Sequence, residues 1–66
     1  MKNTLKIERA KKNVTQQDLA DGLGVSRQTI VAIESGKFNP STKLALKLAA
    51  FFGCSVHELF QLEENE

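Results

Sequence analysis

The stretch from residue 15 to residue 36 constrains this chain more than any other, because it predicts two short helices joined by a tight turn. Thr15 is a typical helix N-cap, and Asp18 follows it at the spacing of a capping box. We therefore expect a first helix over residues 16–23. Gly24 comes next, where a sharp turn requires a positive φ that glycine adopts without steric penalty.

The second half of this stretch predicts another helix, over residues 27–35, with Ser26 as its N-cap and Gly36 at its left-handed exit. Ala20 is small enough to let the two helix backbones cross closely. The apolar residues of the stretch are spaced to face one interior, and they are Leu19, Leu23, Val25, Ile30 and Ile33. This combination indicates a helix-turn-helix, with a plain helical hairpin as the alternative.

The segment QQDLADGLGVSRQTIVAIESGKFNPS resembles the core of the Cro/CI-type helix-turn-helix regulators, also called the XRE family. The chain is most similar to the compact stand-alone bacterial repressors of that family, over residues 5–60. The resemblance implies an all-α, compact five-helix, lambda-repressor-like DNA-binding domain. It also implies that residues 1–66 form a single domain with its helix-turn-helix core at residues 16–35.

The length and the cysteine content of the chain narrow the classes of protein to which it can belong. A chain of 66 residues buries a small core, which a second subunit often completes. Cys54 has no partner cysteine, and no cluster of Cys and His offers metal ligands, which is typical of a reducing cytoplasm. No apolar run approaches a membrane span, and no signal peptide is evident. We expect a cytoplasmic protein with no cofactor, no metal, no membrane contact and no evident small-molecule ligand.

The net charge of +1 hides a segregation along the chain. Residues 1–56 contain nine basic and four acidic side chains, for a balance of +5. Residues 57–66 contain four acidic side chains and no Lys or Arg. A basic body with an acidic end is typical of a polyanion-binding face opposite a dimer or solvent face. Lysines scattered over a solvated surface are the alternative.

Three further helices are predicted, over residues 5–12, 42–52 and 56–60. In the first, the apolar positions are Leu5 and Ile7 with Ala10 and then Val14, an irregular pattern for a helix. Ser41 and Ser55 have the N-cap positions of the other two helices.

Arg9 and Glu34 stand where the resembling family has a largely buried ion pair between its first helix and the end of its recognition helix. Removing one partner of a buried pair typically costs about 3–5 kcal/mol. Two exposed charges that contribute almost nothing are the alternative. Because Glu34 directly follows the core residue Ile33, we expect the pair to form.

The resemblance also implies that the chain's tail pairs with its N-terminal arm as a short two-stranded antiparallel sheet beside a two-fold dimer contact. Residues 61–63 are the candidate strand, although glutamate disfavours strands, and a frayed acidic tail is the alternative. Large apolar residues near the end of a small domain suggest a subunit interface. We expect this interface to include Val56, Leu59, Phe60 and Leu62.

A recognition helix enters the major groove with its N-terminal end, so its first exposed residues meet base edges. The guanidinium of Arg27 matches guanine, and the amide of Gln28 matches adenine. The candidate base-contacting residues are Arg27, Gln28, Thr29, Val31 and Ala32. In similar repressors the position of Ala32 also contacts a base, but alanine offers only a methyl group to thymine.

Phosphate contacts are expected from residues around the recognition helix. Gln16 begins the first motif helix, whose positive N-terminus attracts anions, and a glutamine at this place contacts phosphate in the resembling family. Lys37 and Asn39 follow the recognition helix, and Lys43 lies at the start of the next one. Such contacts add affinity and salt dependence without sequence preference.

The sequence therefore predicts a sequence-specific regulator of transcription that binds double-stranded DNA, as a homodimeric repressor on a pseudo-palindromic operator. The alternative is a protein-interaction module of the same fold, an antitoxin or adaptor, with DNA binding secondary. An enzyme is not expected, since His57 and Cys54 form no nucleophilic pair with an orienting group and a pocket.

Overall fold

The computed structural model describes all 66 residues, from Met1 to Glu66. Its five helices are α1 (Leu5–Lys12), α2 (Gln16–Leu23), α3 (Arg27–Glu34), α4 (Thr42–Phe52) and α5 (Val56–Leu59). Two short strands, β1 (Lys2–Asn3) and β2 (Phe60–Gln61), pair antiparallel and bring the arm and the tail together. The predicted five-helix fold with a small terminal sheet is confirmed.

Hydroxyl side chains start most of the helices. In four helices the N-cap oxygen accepts the backbone N–H three residues on, and these caps are Thr15, Ser26, Ser41 and Ser55. Asp18 and Glu58 complete capping boxes at α2 and α5 by accepting the N–H of the cap residue. Each cap satisfies an N–H that the helix itself leaves without an acceptor.

The core lies where the helices meet the inner side of the sheet. A small residue matters at one crossing: a Cβ on Gly22 would lie 2.9 Å from the Phe51 ring, so glycine permits the close approach of α2 and α4. The buried residues are Leu5, Leu19, Ala20, Leu23, Ile30, Ile33, Leu48, Ala49, Phe52, Leu59 and Phe60. Four of the five apolar residues predicted to form the motif interior are buried, and the fifth, Val25, is partly buried and packs against this core.

The structure differs from the prediction at the ends of two helices. In α1, Leu5 is buried and Ile7 is 57% exposed, because only one face of this short helix is covered. The recognition helix α3 and the last helix α5 each end one residue earlier than predicted, at Glu34 and Leu59. Phe60 leaves the helix for an extended conformation, with φ −126° and ψ 135°, and begins β2.

The tail also differs from the prediction in register and burial. The strand that pairs with the arm is Phe60–Gln61 rather than residues 61–63, with Lys2 opposite Gln61 and Asn3 opposite Phe60. Leu59 is 0% exposed and Phe60 is 7% exposed. Both residues complete the core of their own chain, so they have little surface left for the predicted subunit interface.

Candidate nucleic-acid interface

The helix-turn-helix is formed by α2, the turn at Gly24 and Val25, and α3. Gly24 has φ 72°, and the backbone N–H of Val25 donates to the Ala20 carbonyl, which closes the turn. Ile30 and Ile33 on α3 pack into the core, and Ala20, itself 0% exposed, lies in the same cluster. The opposite face of α3 is consequently left open to solvent.

The open face of α3 contains most of the predicted base-contacting residues. Arg27 and Gln28 are exposed at the N-terminal end, and Val31 is 41% exposed one turn later. Thr29 and Ala32 are half-buried. The Thr29 hydroxyl lies 2.9 Å from that of the cap residue Ser26, so it is already engaged within the protein.

At the other end of α3, Arg9 and Glu34 form a bidentate ion pair. Arg9 Nε donates to Glu34 Oε2 over 2.6 Å, and Arg9 Nη2 donates to Oε1 over 3.0 Å. Arg9 Nη1 also donates to the Val14 carbonyl, so the guanidinium contacts the segment between α1 and α2. The hydrogen bonds to Glu34 raise the pKa of Arg9. With side chains 15% and 9% exposed, this pair links α1 to the end of α3 away from solvent.

Gln16 connects the ion pair to the open end of the recognition helix. Its Nε2 donates to Glu34 Oε1 over 3.3 Å, and its Oε1 accepts a hydrogen bond from Arg27 Nη2 over 3.4 Å. These contacts of Gln16 could not be predicted from the sequence, because they depend on how α2 and α3 cross. Gln16 therefore orients Arg27 as well as lying at the N-terminus of α2.

An open groove of about 500 Å³ lies beside this network, between α1 and the start of α2. Gln16, Gln17 and Arg27 are among the side chains that line it. The first backbone N–H groups of α2 point out of the helix start without acceptors inside the helix, which suits an anion. The groove is polar and open to solvent at the edge of the α3 face.

The remaining predicted phosphate contacts lie on the far side of α3. Lys37 and Asn39 are exposed in the segment that joins α3 to α4, and Lys43 is exposed in the first turn of α4. Phe38, between the first two, is 50% exposed and was not singled out from the sequence, although its polar neighbours placed it in a surface loop. Neither α3 nor α4 has an acidic residue in its first turn.

A second open surface is apolar. Ala45 and Leu46 on α4 border a groove of about 320 Å³ together with Val56 on α5 and the arm residue Met1. Leu46 is 58% exposed, and Leu62, after β2, is 74% exposed. Of the predicted interface residues, Val56 and Leu62 therefore have surface available, and Phe60 contributes only its edge to the groove.

Cys54 and His57, the residues considered for nucleophilic chemistry, lie just before and within α5. Burial raises the pKa of the half-buried Cys54 thiol, which disfavours the nucleophilic thiolate, and His57 is exposed. No group of three or more His, Cys, Asp or Glu side chains is placed to hold a metal ion. None of the helices is both long and apolar enough to cross a bilayer.

Residues 5–59 match the helix-turn-helix family. The chain belongs to this XRE-type helix-turn-helix family. One helix-turn-helix relative, an uncharacterized HTH-type transcriptional regulator of Methanocaldococcus jannaschii, is 59% identical over 66 residues and is covered along 100% of both chains. The cryptic phage CTXphi transcriptional repressor RstR of Vibrio cholerae is 35% identical over 57 residues, which span 86% of this chain and 51% of RstR.

A solved structure supports the same helix-turn-helix assignment. The crystal structure of a hypothetical transcription factor, NHTF from Neisseria, aligns with a TM-score of 0.75 and 26% identity. The alignment covers 82% of this chain and 61% of that one. The chain is thus a DNA-binding regulator of the helix-turn-helix family and not an enzyme.

Proposed function

We propose that the protein is a homodimeric repressor that binds a pseudo-palindromic operator, with α3 of each subunit in the major groove of one half-site. The observation that carries this proposal is the open N-terminal end of α3, where Arg27 and Gln28 are exposed on a helix whose other end is fixed by the buried Arg9–Glu34 pair. A rigid backbone with exposed long polar side chains is what base readout requires.

Base readout divides among the residues of the α3 face. Arg27 reads guanine through two parallel N–H donors, and Gln28 reads adenine through its amide. Val31 and Ala32 contact thymine methyl groups, because they offer only apolar surface. Thr29 contributes least to readout, since its hydroxyl is held by Ser26.

Phosphates on both sides of the major groove are bound by the elements that flank α3. Gln16 and the first N–H groups of α2 bind one strand, and Lys37, Asn39 and Lys43 bind the other. The absence of an acidic residue from the first turn of α4 supports the contact by Lys43, because the positive end of this helix is left uncompensated.

Dimerisation occurs through the apolar surface around Leu46, Val56 and Leu62. Leu46 is exposed at the apolar groove that Val56 also lines, and Leu62 is exposed just after β2. Exposed apolar surface of this kind is typical of a subunit interface. A dimer formed at this surface has to present its two α3 helices to half-sites about one helical turn apart.

Repression follows from occlusion of a promoter by a small dimer that covers its operator. The relative RstR is named a transcriptional repressor, which supports this direction of regulation. In a transcription assay on the bound promoter we expect added protein to lower transcript yield. A rise in transcript yield would identify an activator.

The test of DNA recognition is a binding titration on the protein's own upstream promoter fragment and on a random fragment of equal length, over a series of salt concentrations. We expect the promoter to bind at least several hundredfold more tightly. Arg27→Ala should reduce this preference roughly five- to 150-fold, the equivalent of about 1–3 kcal/mol. Equal binding of the two fragments by the wild type would refute the proposal and favour a protein partner.

Arg27→Lys is the matched control for charge. It keeps the positive charge, and with it the attraction to phosphate, but lacks the planar fork that binds O6 and N7 of guanine. We expect it to bind random DNA as the wild type does and to lose promoter preference nearly as fully as Arg27→Ala.

The dimer surface is tested separately by analytical ultracentrifugation. Leu46→Glu should shift the protein to monomer, because it places a charge on the apolar surface. Ile7→Glu is the control: Ile7 is 57% exposed, nearly the same as Leu46 at 58%, but lies on α1 outside the groove. A monomeric wild type, or equal dissociation by both variants, would refute this interface.

A further inference from the structure

The N-terminal arm is joined to the recognition helix by one side chain. Asn3 Nδ2 donates to the Ile33 carbonyl over 2.8 Å, and Asn3 Oδ1 accepts the backbone N–H of Leu5 over 3.2 Å. Ile33 lies in the last turn of α3, and its carbonyl also accepts the backbone N–H of Gly36 over 3.0 Å. Asn3 therefore adds a second hydrogen bond at the C-terminal end of α3 and accepts the first N–H of α1 with the same amide group.

The backbone of the arm follows the end of α3 closely. A Cβ on Gly36 would lie 3.7 Å from the Met1 carbonyl oxygen, so the two segments are in van der Waals range. Of the side-chain hydrogen bonds in the structure, only that of Asn3 joins the terminal strands to α3. The contact is half-buried, which limits competition from water.

The same strands also border the apolar groove. Asn3 lies opposite Phe60 in the β1–β2 sheet, and both Phe60 and Met1 line the groove proposed to receive the second subunit. A continuous path thus runs from the groove through Phe60 and Asn3 to the Ile33 carbonyl at the end of α3. The Arg9–Glu34 pair fixes α3 to α1 but makes no hydrogen bond to this sheet, although Glu34 borders another groove together with Lys2 and Asn3.

We propose that Asn3 is a positioning residue that fixes α3 relative to the terminal sheet, and thereby sets the separation between the two recognition helices of the dimer. The proposal rests on the proposed function, because it concerns the spacing of half-sites on an operator. Without the Asn3 bond, each α3 keeps its contacts with α1 and α2 but can tilt relative to the subunit interface.

The test is a series of operators in which the two half-sites, located by footprinting on the promoter fragment, are moved apart or together by one or two base pairs. Wild-type protein should bind the native spacing best and the altered spacings distinctly less well. Asn3→Ser retains an acceptor for the Leu5 N–H but is too short to reach the Ile33 carbonyl. We expect this variant to lose about three- to tenfold in its preference for the native spacing.

A merely structural role would not change the spacing profile, because general destabilisation weakens binding to all operators alike. Binding of Asn3→Ser to random DNA should therefore equal that of the wild type. Thr4→Val is the matched control, since it removes the bond from Thr4 Oγ1 to the Glu58 carbonyl, 3.1 Å long, in the same arm without touching α3. It should keep the wild-type spacing profile.

The outcomes separate the two proposals. A wild type with no preference for its operator would refute the proposed function, and the role of Asn3 with it. A wild-type spacing preference that survives Asn3→Ser unchanged, or that Thr4→Val reduces equally, would refute the role of Asn3 alone.

Discussion

The two ends of the recognition helix α3 differ in almost every respect. At the N-terminal end Arg27 and Gln28 are exposed, and Arg27 has a single protein contact, at 3.4 Å to Gln16. At the C-terminal end Glu34 accepts hydrogen bonds from α1 and α2, and Ile33 accepts one from the arm. The difference shows how a small domain combines exposed side chains with a fixed backbone: it restrains the helix at the end opposite to Arg27 and Gln28.

The N-terminal ends of the helices also differ, in whether an acidic side chain takes part in the cap. The capping boxes of α2 and α5 each include an acidic side chain, Asp18 and Glu58. At α3 the corresponding position is Thr29, and the first turn has no acid. The recognition helix thus has a less complete cap than α2 and α5, which lowers its intrinsic stability. Its N-terminus is more positive, which favours the binding of an anionic ligand.

The largest effect on stability is expected from removing the Arg9–Glu34 ion pair at the C-terminal end of α3. Arg9→Ala leaves the Glu34 carboxylate, 9% exposed, without its charged partner, which should cost about 3–5 kcal/mol of unfolding free energy. For a domain of this size the melting temperature should fall by roughly 12 °C or more. Thermal and urea denaturation followed by circular dichroism measure both quantities.

Lys11→Ala is the control for an exposed ion pair. Lys11 lies 3.1 Å from Glu8 and is 67% exposed, so its removal should cost less than about 1 kcal/mol. Comparable losses for Arg9→Ala and Lys11→Ala would mean that α3 is not anchored by the buried pair.

The next largest effect on stability is expected from removing Ser26, the N-cap of α3. Ser26→Ala removes the acceptor for the Thr29 N–H and should cost about 1 kcal/mol in urea denaturation. Ser41→Ala removes the equivalent bond to Leu44 at α4 and should cost a similar amount. Only Ser26→Ala should also reduce preference for the operator, because it loosens the turn that presents Arg27. A larger operator defect in Ser41→Ala would contradict this distinction.

A smaller effect is expected from Thr29→Glu, which should raise the stability of the fold and weaken the binding of DNA. Thr29→Glu supplies the acid that α2 and α5 have at this position, and should stabilise the fold by about 0.3–1 kcal/mol. The same charge should weaken binding to operator and random DNA alike, because it repels phosphate. Thr29→Gln completes a capping box without charge, so it should retain DNA binding. If Thr29→Glu binds DNA as tightly as Thr29→Gln, the positive helix start is not used for DNA.

The smallest effect is the pH dependence of the stability that the capping box of α2 contributes. Hydrogen bonds from the Thr15 backbone and side chain lower the pKa of Asp18, so the folded state favours its carboxylate. The resulting stabilisation is present at neutral pH and is lost as the pH falls below about 4, through the lowered pKa. Melting temperatures of wild type and Asp18→Asn measured from pH 7 downward should converge in acid. A gap that widens in acid would contradict the assignment.

The helix starts could be predicted to the residue because they depend on local chemistry. Ser26 and Ser41 cap amides three residues away, and the positive φ of Gly24 is a property of that residue alone. The sheet register could not be predicted equally well, because Lys2 pairs with Gln61 only after the helices are packed. The burial of Phe60 follows from that register.

The candidate site also has features that could be predicted from the sequence and features that could not. Exposure of Arg27 and Gln28 follows from the position of Ile30 and Ile33 in the helical period. The contacts of Gln16 with Glu34 and Arg27 depend on the crossing of two helices. The bond of Asn3 was beyond sequence reasoning, because its acceptor is a backbone carbonyl 30 residues away that any residue type could supply.

The pairing of arm and tail also has a consequence for the order of folding. Helices α2 and α3 are adjacent along the chain and can form and dock early, whereas β1 and β2 join residues close to opposite ends of the sequence. Closing so long a loop is slow until the helices have drawn the ends together. We expect the sheet to close last and to open first in hydrogen exchange, so that the recognition helix gains its final attachment only when the rest of the protein is already folded.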